Sequence, residues 1–498
     1  MMDQGLGSWV TRRARMSPAS TALTDGDTAM TYAELDRRVT ALAHGLRRLG
    51  VRRGVRVAYL GFNGAGFVET LFAVAKLGAV FLPVNTRLAA PELRHVLADS
   101  GSRLLLHQES FSAAVAAAEG GDLDLQVRVV SDTPTAMDPL MDADQSPIDE
   151  AMEHDDLFML QYTSGTSGRP KGVMLTHGNV IWNVLNLLID VDLGSNEVAL
   201  VTAPMFHTAA LNQVLLPVIL KGGTCLLEAK FDPARAIEVI ANRGVTMLFG
   251  VTSMYQALAE EPAFGTADLH TLRIALSGGA PIPEALLRTY VDRGLRITQG
   301  YGLTETSPGA TMLREADGLR KLGSAGTSCF FSDVRVVDPD GRTAPAGEPG
   351  EVLVQGPNVS PGYWRNETAT AAAFDDGWIH TGDVAVVDDD GFVYIVDRLK
   401  DMYISGGENV YPAEVEQAIY DHPDILECAV VGVSDAQWGE VGRAFVRVRS
   451  GSSLDHEQLL AFLAGRIARY KLPRSTVIRD ELPRNASGKL QRSKLKEL

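Results

Sequence analysis

Only three of the 498 residues are cysteine, and Cys225, Cys329 and Cys428 stand far apart with no C-x-x-C pair. A disulfide framework and a zinc site are both excluded by that spacing, and a reducing, cytoplasmic compartment is expected. Basic charge is also scarce. The chain carries 46 Lys and Arg against 62 Asp and Glu, a net charge of −16. A protein that binds nucleic acid carries a basic footprint, so no nucleic-acid partner is expected. Long apolar runs are missing too: none approaches the roughly 18 residues of a membrane span. The nearest, Leu211 to Leu220, is interrupted by Asn212, Gln213 and Pro217 and reads as a buried helix. The first residues show no apolar signal core behind a basic start, so no leader is expected. Arg12, Arg13 and Arg15 offer at most a weak peripheral membrane contact, and a solvated helix face is the simpler reading. Oligomeric state is not legible.

What is present is an ordinary globular composition, 45% hydrophobic and 22% charged, in a chain long enough for two or three domains. Apolar positions at helical spacing (Leu35, Val39, Leu42, Leu46) precede a strand-like run at Arg56–Leu60. A helical pattern through Phe67 to Leu77 and a strand at 79–84 follow, and strand–helix alternation returns between Ala199 and Leu276. That alternation predicts parallel sheets covered by helices. Near residue 322 the texture changes to short strands separated by Asp340-Gly341 and Pro349-Gly350, which predicts hairpins. A last unit has a helix from Pro412, strands at 428–433 and 444–448, and a helix over 459–468.

One segment carries unusual chemistry. Tyr162-Thr163-Ser164-Gly165-Thr166-Ser167-Gly168-Arg169-Pro170-Lys171-Gly172 packs hydroxyls, glycines and two cations behind the apolar run Leu157–Leu160. Glycines let backbone N–H groups converge on a phosphate, hydroxyls add donors, and Lys171 adds positive charge. It is not a Walker A loop, because Lys171 lies between Pro170 and Gly172 instead of entering a helix as Gly-Lys-Ser/Thr. No Gly-x-Ser-x-Gly nucleophile elbow fits either.

This loop resembles the phosphate-binding motif of the adenylate-forming superfamily of acyl-CoA synthetases, firefly-type luciferases and peptide-synthetase adenylation domains. The superfamily's other motifs follow in order. Gln299-Gly300-Tyr301-Gly302-Leu303-Thr304-Glu305 is similar to the second nucleotide motif. The resemblance implies Tyr301 stacked on adenine, Thr304 donating to a phosphate and Glu305 holding Mg²⁺. Thr381-Gly382-Asp383 occupies the place of the ribose-binding Asp, whose carboxylate accepts from both hydroxyls. In the string from Asp397 to Asn409, the resemblance puts Arg398 on the ribose, Lys400 at a hinge, and Gly406 and Gly407 beside a pantetheine channel. Lys489, after Asn485-Ala486-Ser487-Gly488, matches the lysine that reaches the carboxylate and α-phosphate. His207, in Pro204-Met205-Phe206-His207, together with Gly278, Gly279 and Ala280, is placed in the acyl pocket. Asp388-Asp389-Asp390-Gly391 fails the EF-hand frame and reads as a hairpin turn.

The implied architecture is α/β. A large N-terminal domain (1–396) of two α/β subdomains plus a small β subdomain is followed by a hinge (397–400) and a small mobile α+β lid (401–498). The implied reaction is ATP-dependent ligation of a carboxylic acid to CoA through an acyl-adenylate, with ATP, Mg²⁺ and coenzyme A as co-reactants. The carboxylate is already a nucleophile, so the catalyst positions anions and neutralises charge. Amino acids are disfavoured, because no Asp follows Phe206, and 207–216, 249–255 and 278–282 hold no cation for a dicarboxylate. A neutral acid fits. Similarity to actinobacterial fatty-acyl-CoA synthetases at 84–92 and 404–412 puts a medium or long fatty acid first and an aryl acid second. A luciferase-like oxygenase and a non-catalytic ATP-binding protein are the remaining readings.

Overall fold

The structure is a computed structural model. It describes residues 3–118, 120, 123–148, 150–164, 170–279, 282–399, 401–405, 408–435, 438–464, 466–484 and 490–498, and only the main chain of Ser164, Arg398, Glu408 and Asn409. Its strands form four sheets. A nine-stranded sheet has the order Thr327–Ser328, Gly309–Leu313, Ile297–Gly302, Ile274–Gly278, Met247–Gly250, Val198–Val201, Thr224–Leu227, Thr21–Asp25, Thr28–Thr31. A six-stranded sheet has the order Gln126–Val130, Leu104–Gln108, Arg56–Leu60, Val80–Pro83, Leu157–Ser164, Pro170–Thr176. Both are parallel inside and antiparallel at one or both edges. The strand–helix alternation in the sequence is therefore the signature of these two layers.

The helix Ala65–Lys76 shows why the two layers form one body. Phe67, Leu71, Phe72 and Val74 are all buried, as is every other residue from Ala65 to Ala75. A helix apolar all round must be covered on every side. Its one acid, Glu69, is fully buried and pairs with Arg38. Arg38 extends from the neighbouring helix Tyr32–Arg48, whose first turn is closed by a Thr31–Glu34 capping box.

Past residue 322 the expected hairpins appear. Asp333–Val337, Gly350–Gln355 and Trp378–Val387 pair antiparallel, and Val393–Arg398 joins the last of them across the 388–391 turn. The small C-terminal unit pairs Ile425–Asp435 with Gly439–Val448, adds Ser475–Ile478 in parallel, and packs the helix Pro412–Tyr420 against them. Its second helix spans His456–Leu463, earlier and shorter than 459–468. Asp455 caps it through Gln458 N–H, and Ala464 is already extended.

The Leu211–Leu220 segment is buried and helical as expected, but Leu211–Leu215 is a π turn between Thr208–Ala210 and Leu216–Lys221. Arg13 donates from Nε to Leu220 O at 2.6 Å, and Arg12 binds Asp3 O, so of the three N-terminal arginines Arg15 alone is exposed. Among the described residues no helix is long and apolar enough to cross a membrane.

Candidate functional site

The predicted phosphate loop is flanked by the two antiparallel strands Leu157–Ser164 and Pro170–Thr176 at the edge of the six-stranded sheet. Tyr162 pairs with Gly172, Thr163 with Lys171, and Ser164 with Pro170. Gly165, Thr166, Ser167 and Gly168 lie outside the described residues, but the strands that deliver them are fixed. Tyr162 Oη donates to Asp99 Oδ2 at 2.6 Å. On the other strand, Lys171 Nζ lies 5.1 Å from the centre of the Tyr363 ring, a cation–π geometry. Tyr363 Oη in turn donates to Glu305 Oε1 at 2.8 Å.

One aromatic side chain thus joins the phosphate hairpin to the second motif. Its own segment is held by Trp364 N–H to Gly172 O at 2.8 Å and Met174 N–H to Gly362 O at 3.0 Å. Burial, and then the Glu305 charge, raise the Tyr363 phenol pKa, so it remains a donor. Sequence reasoning missed Tyr363, because Pro361-Gly362-Tyr363-Trp364 reads as an ordinary turn.

The second motif occupies the end of Ile297–Gly302, where Gly278 and Gly300 are register partners. Gly302 has no room for a side chain, since a Cβ there would lie 1.6 Å from Pro308 O. Thr304 and Glu305 follow in a single 3₁₀ turn. Tyr301 Oη donates to Asp383 Oδ2 at 2.8 Å, so the structure brings two of the predicted residues together. Asp383 is buried and set by Thr381, whose Oγ1 accepts from Asp383 N–H at 3.1 Å and donates to Val352 O at 2.7 Å. Arg398 is its register partner on the next strand; the Arg398 side chain lies outside the described set.

Glu305 is only 9% exposed, and among the described residues no Lys or Arg pairs with it. A carboxylate that receives one neutral side-chain donor has oxygen lone pairs left for a cation, which fits Mg²⁺. Among the described residues no group of three or more His, Cys, Asp or Glu could hold a metal. A cation at Glu305 would therefore take its other ligands from phosphate oxygens and water.

The residues predicted for the acyl pocket begin on the loop after Val198–Val201. His207 Nε2 is buried without a hydrogen-bond partner, and the ring tilts against Phe206 with centroids 4.6 Å apart. Burial, aided by the Arg87 charge, lowers its pKa to about 4, so the imidazole is neutral. Beyond it, Asn212 Oδ1, Gln213 Oε1 and Ser307 Oγ are also buried and unpartnered. Asn212 Nδ2 donates to Ser307 O at 3.0 Å, and Gln213 Nε2 to Asn183 Oδ1 at 3.4 Å, so these atoms belong to one polar cluster. Gly279 has φ +84° with open space around it, so conformation and not room calls for glycine there. Ala280 lies outside the described residues, as do Lys400, Gly406, Gly407 and Lys489.

A groove of about 440 Å³ is lined by Phe62, Asn63, Glu228 and Lys230 among others. Tyr301, Glu305 and Asp383 do not line it, so it is not where the predicted nucleotide groups converge.

A second histidine, His177, is fully buried, and burial lowers its pKa to about 4 as well. A His that protonates less readily when folded makes the unfolded chain the stronger proton binder between pH 6.5 and 4. Stability is then fully present above pH 6.5 and lost as pH falls toward 4, by up to ~3 kcal/mol for a shift of this size. His177→Gln is expected to flatten that slope in urea midpoints measured across the interval; an unchanged slope would assign the acid sensitivity elsewhere.

With the geometry in place, the family match is decisive. The AMP-binding enzyme model covers residues 10–364, and the AMP-binding enzyme C-terminal domain model covers 414–489. The chain belongs to the AMP-binding enzyme family. This AMP-binding enzyme is 52% identical over 496 residues to a feruloyl-CoA synthase of Amycolatopsis sp., covering 100% of this chain and 99% of that one. It is 37% identical over 507 residues to a long-chain-fatty-acid–CoA ligase of Mycobacterium tuberculosis, covering 99% and 98%. Its fold matches the o-succinylbenzoate-CoA synthetase of Bacillus subtilis in complex with its acyl-adenylate, with TM-score 0.90, 34% identity, and 100% and 99% coverage. This AMP-binding enzyme is an ATP-dependent acyl-CoA ligase that uses ATP, Mg²⁺ and CoA.

Proposed function

We propose that the acid is aromatic, a hydroxylated phenylpropenoic acid such as ferulate. The observation that carries this reading is the trio of unpartnered buried atoms Asn212 Oδ1, Gln213 Oε1 and Ser307 Oγ on and beside the π turn that continues the His207 loop. Leaving a buried acceptor unpaired costs about 1–3 kcal/mol. A bound donor would complete them, and a phenolic hydroxyl is one. The 52% identity to a feruloyl-CoA synthase along the whole chain supports the same choice. The fatty-acid expectation moves to second place, kept there by the 37% identity to a long-chain-fatty-acid–CoA ligase.

The carboxylate oxygen attacks the α-phosphorus of ATP, and pyrophosphate leaves from the opposite side. Lys171 and the hydroxyls of the 162–172 loop bind the phosphates, with Tyr301 under the adenine. Asp383 accepts from the ribose hydroxyls while its Oδ2 is steadied by Tyr301. Tyr363 holds Glu305 in place from one side. When bound there, Mg²⁺ supplies charge neutralisation at the phosphates. Neutral His207 walls the acyl end. The CoA thiol then attacks the anhydride carbon, and AMP leaves.

The lid reading completes the scheme. Residues 401–498 turn about 397–400 and bring Gly406 and Gly407 to the thiol in place of Lys489. Arg492 supports this division: it binds Glu416 at 2.7 Å and lies 3.7 Å from Asp401, tying the residue just past the proposed hinge to the small unit.

The substrate test is a panel of acids with pyrophosphate and thioester both measured. Ferulate and coumarate are expected to exceed unsubstituted cinnamate by roughly tenfold or more in kcat/KM, the discrimination expected when a site's polar atoms lose their partner. Hexadecanoate as the best substrate would reverse the ranking of the two readings. CoA-independent oxygen uptake would replace both with the oxygenase.

A further inference from the structure

The loop that carries Phe206 and His207 belongs to the nine-stranded sheet, yet the groups that hold it come from the other one. Asn63 stands just past the end of strand Arg56–Leu60, between Phe62 and Gly64, and is 7% exposed. Its Oδ1 accepts from Met205 N–H at 2.8 Å. Its Nδ2 faces Ala203 O at 2.9 Å, Glu228 O at 3.2 Å and Val201 O at 3.4 Å. A carboxamide is the one small side chain that supplies a donor and an acceptor in a single plane. Asp would present an oxygen to the three carbonyls, and Ser would reach one partner at most. A second amide does related work from the phosphate hairpin: Gln161 Nε2 donates to Phe206 O. Phe206 is thereby tied to the strand that leads into the phosphate loop, two residues before Thr163.

We propose that Asn63 is a positioning residue for the acyl half of the site: its carboxamide, reaching across from the six-stranded sheet, sets the main chain that carries Phe206 and His207. This rests on reading the His207 loop as the acyl wall, and it holds for an aryl or a fatty acid. Asn63 touches the backbone of the loop through both ends of its amide, so its loss shifts where His207 and the π turn stand. The partners of its carboxamide lie at Val201, Ala203, Met205 and Glu228, so its loss is expected to bear on that loop first and on the nucleotide side little.

The test compares Asn63→Ala, Asn63→Ser and Gln161→Met, using whichever acid the panel ranks first. A loop displaced by about 1 Å is expected to raise KM for the acid at least tenfold in Asn63→Ala and to leave KM for ATP within about threefold. The ratio of kcat/KM between the first- and second-ranked acids is expected to move in the same direction in Asn63→Ser and Gln161→Met. The Asn63→Ser/Gln161→Met double variant is expected to lose less than the sum of the two, as residues holding one loop do. Val39→Ala, in the core away from the loop, gives the baseline for lowered Tm alone. Acid and ATP constants rising in proportion, or a lowered Tm with an unmoved acid ratio, would overturn the proposal. If Asn63→Ala does not fold, the Ser and Met variants decide by the same split. Failure of the aryl reading would appear in the ranking of acids, whereas failure of this one appears in the constants for the best acid.

Discussion

Lys489→Ala is expected to lower acyl-adenylate formation by roughly 10²–10³-fold, the cost of removing one preorganised charge from a developing anion. Thioester formation from a supplied acyl-adenylate is expected to stay within about threefold of the parent, because interactions made only in the first transition state cost only the first step. The reasoning starts from charge. Two anions, a carboxylate and a triphosphate, must meet before any bond changes. Lys171 lies over the face of Tyr363 on the phosphate side, and the resemblance makes Lys489 the cation that bridges both reactants. Pyrophosphate exchange reports the first step and AMP release from purified adenylate the second. Equal collapse of both would show that one lid position serves both reactions.

Asp383→Ala is expected to raise KM for ATP by roughly 10–100-fold, since each hydrogen bond to a charged group contributes about 1.5–3 kcal/mol. Tyr301→Phe keeps the ring and removes the hydroxyl that donates to Asp383 Oδ2. It is expected to cost only about two- to fivefold, the size of one net hydrogen bond. The two variants should differ in a way that depends on the ribose. With an ATP analogue lacking the 2′- and 3′-hydroxyls, Asp383→Ala should cost little more than the analogue itself. An unchanged penalty with that analogue would mean that Asp383 acts through the fold and not on the sugar.

The motifs of this chain were legible because each is a local string: the Tyr162 loop, the Gly300–Glu305 stretch and the Thr381–Asp383 turn all stand together in sequence. The central strands were legible because burial on both faces makes them continuous apolar runs, as in Arg56–Leu60 and Ile274–Gly278. What joins them was not legible. Thr21–Asp25 pairs in parallel with Thr224–Leu227, some two hundred residues away, and nothing local announces that partner. Tyr363 and Asn63 look like turn residues, and only their contacts to Glu305, Lys171 and the 203–207 loop give them a role. The choice of acid is not legible for a related reason. Likeness at 84–92 and 404–412 speaks to the shared chemistry and does not rank the acids, whose contacts the proposal puts on other segments.

The π turn at Leu211–Leu215 carries a consequence for how such a site diverges. A helix with one residue inserted advances everything beyond it by about 100°, the angle of a single α-helical step. Asn212 and Gln213, adjacent in sequence, lie inside that inserted turn and both end in unpartnered buried atoms. Removing one residue there would restore an uninterrupted helix and swing a different pair of side chains to the same spot, leaving the flanking strands Val198–Val201 and Thr224–Leu227 untouched. On the proposed acyl reading, a single codon lost or gained would then change the side chains that meet the acid, a route that counting substitutions between relatives does not reveal.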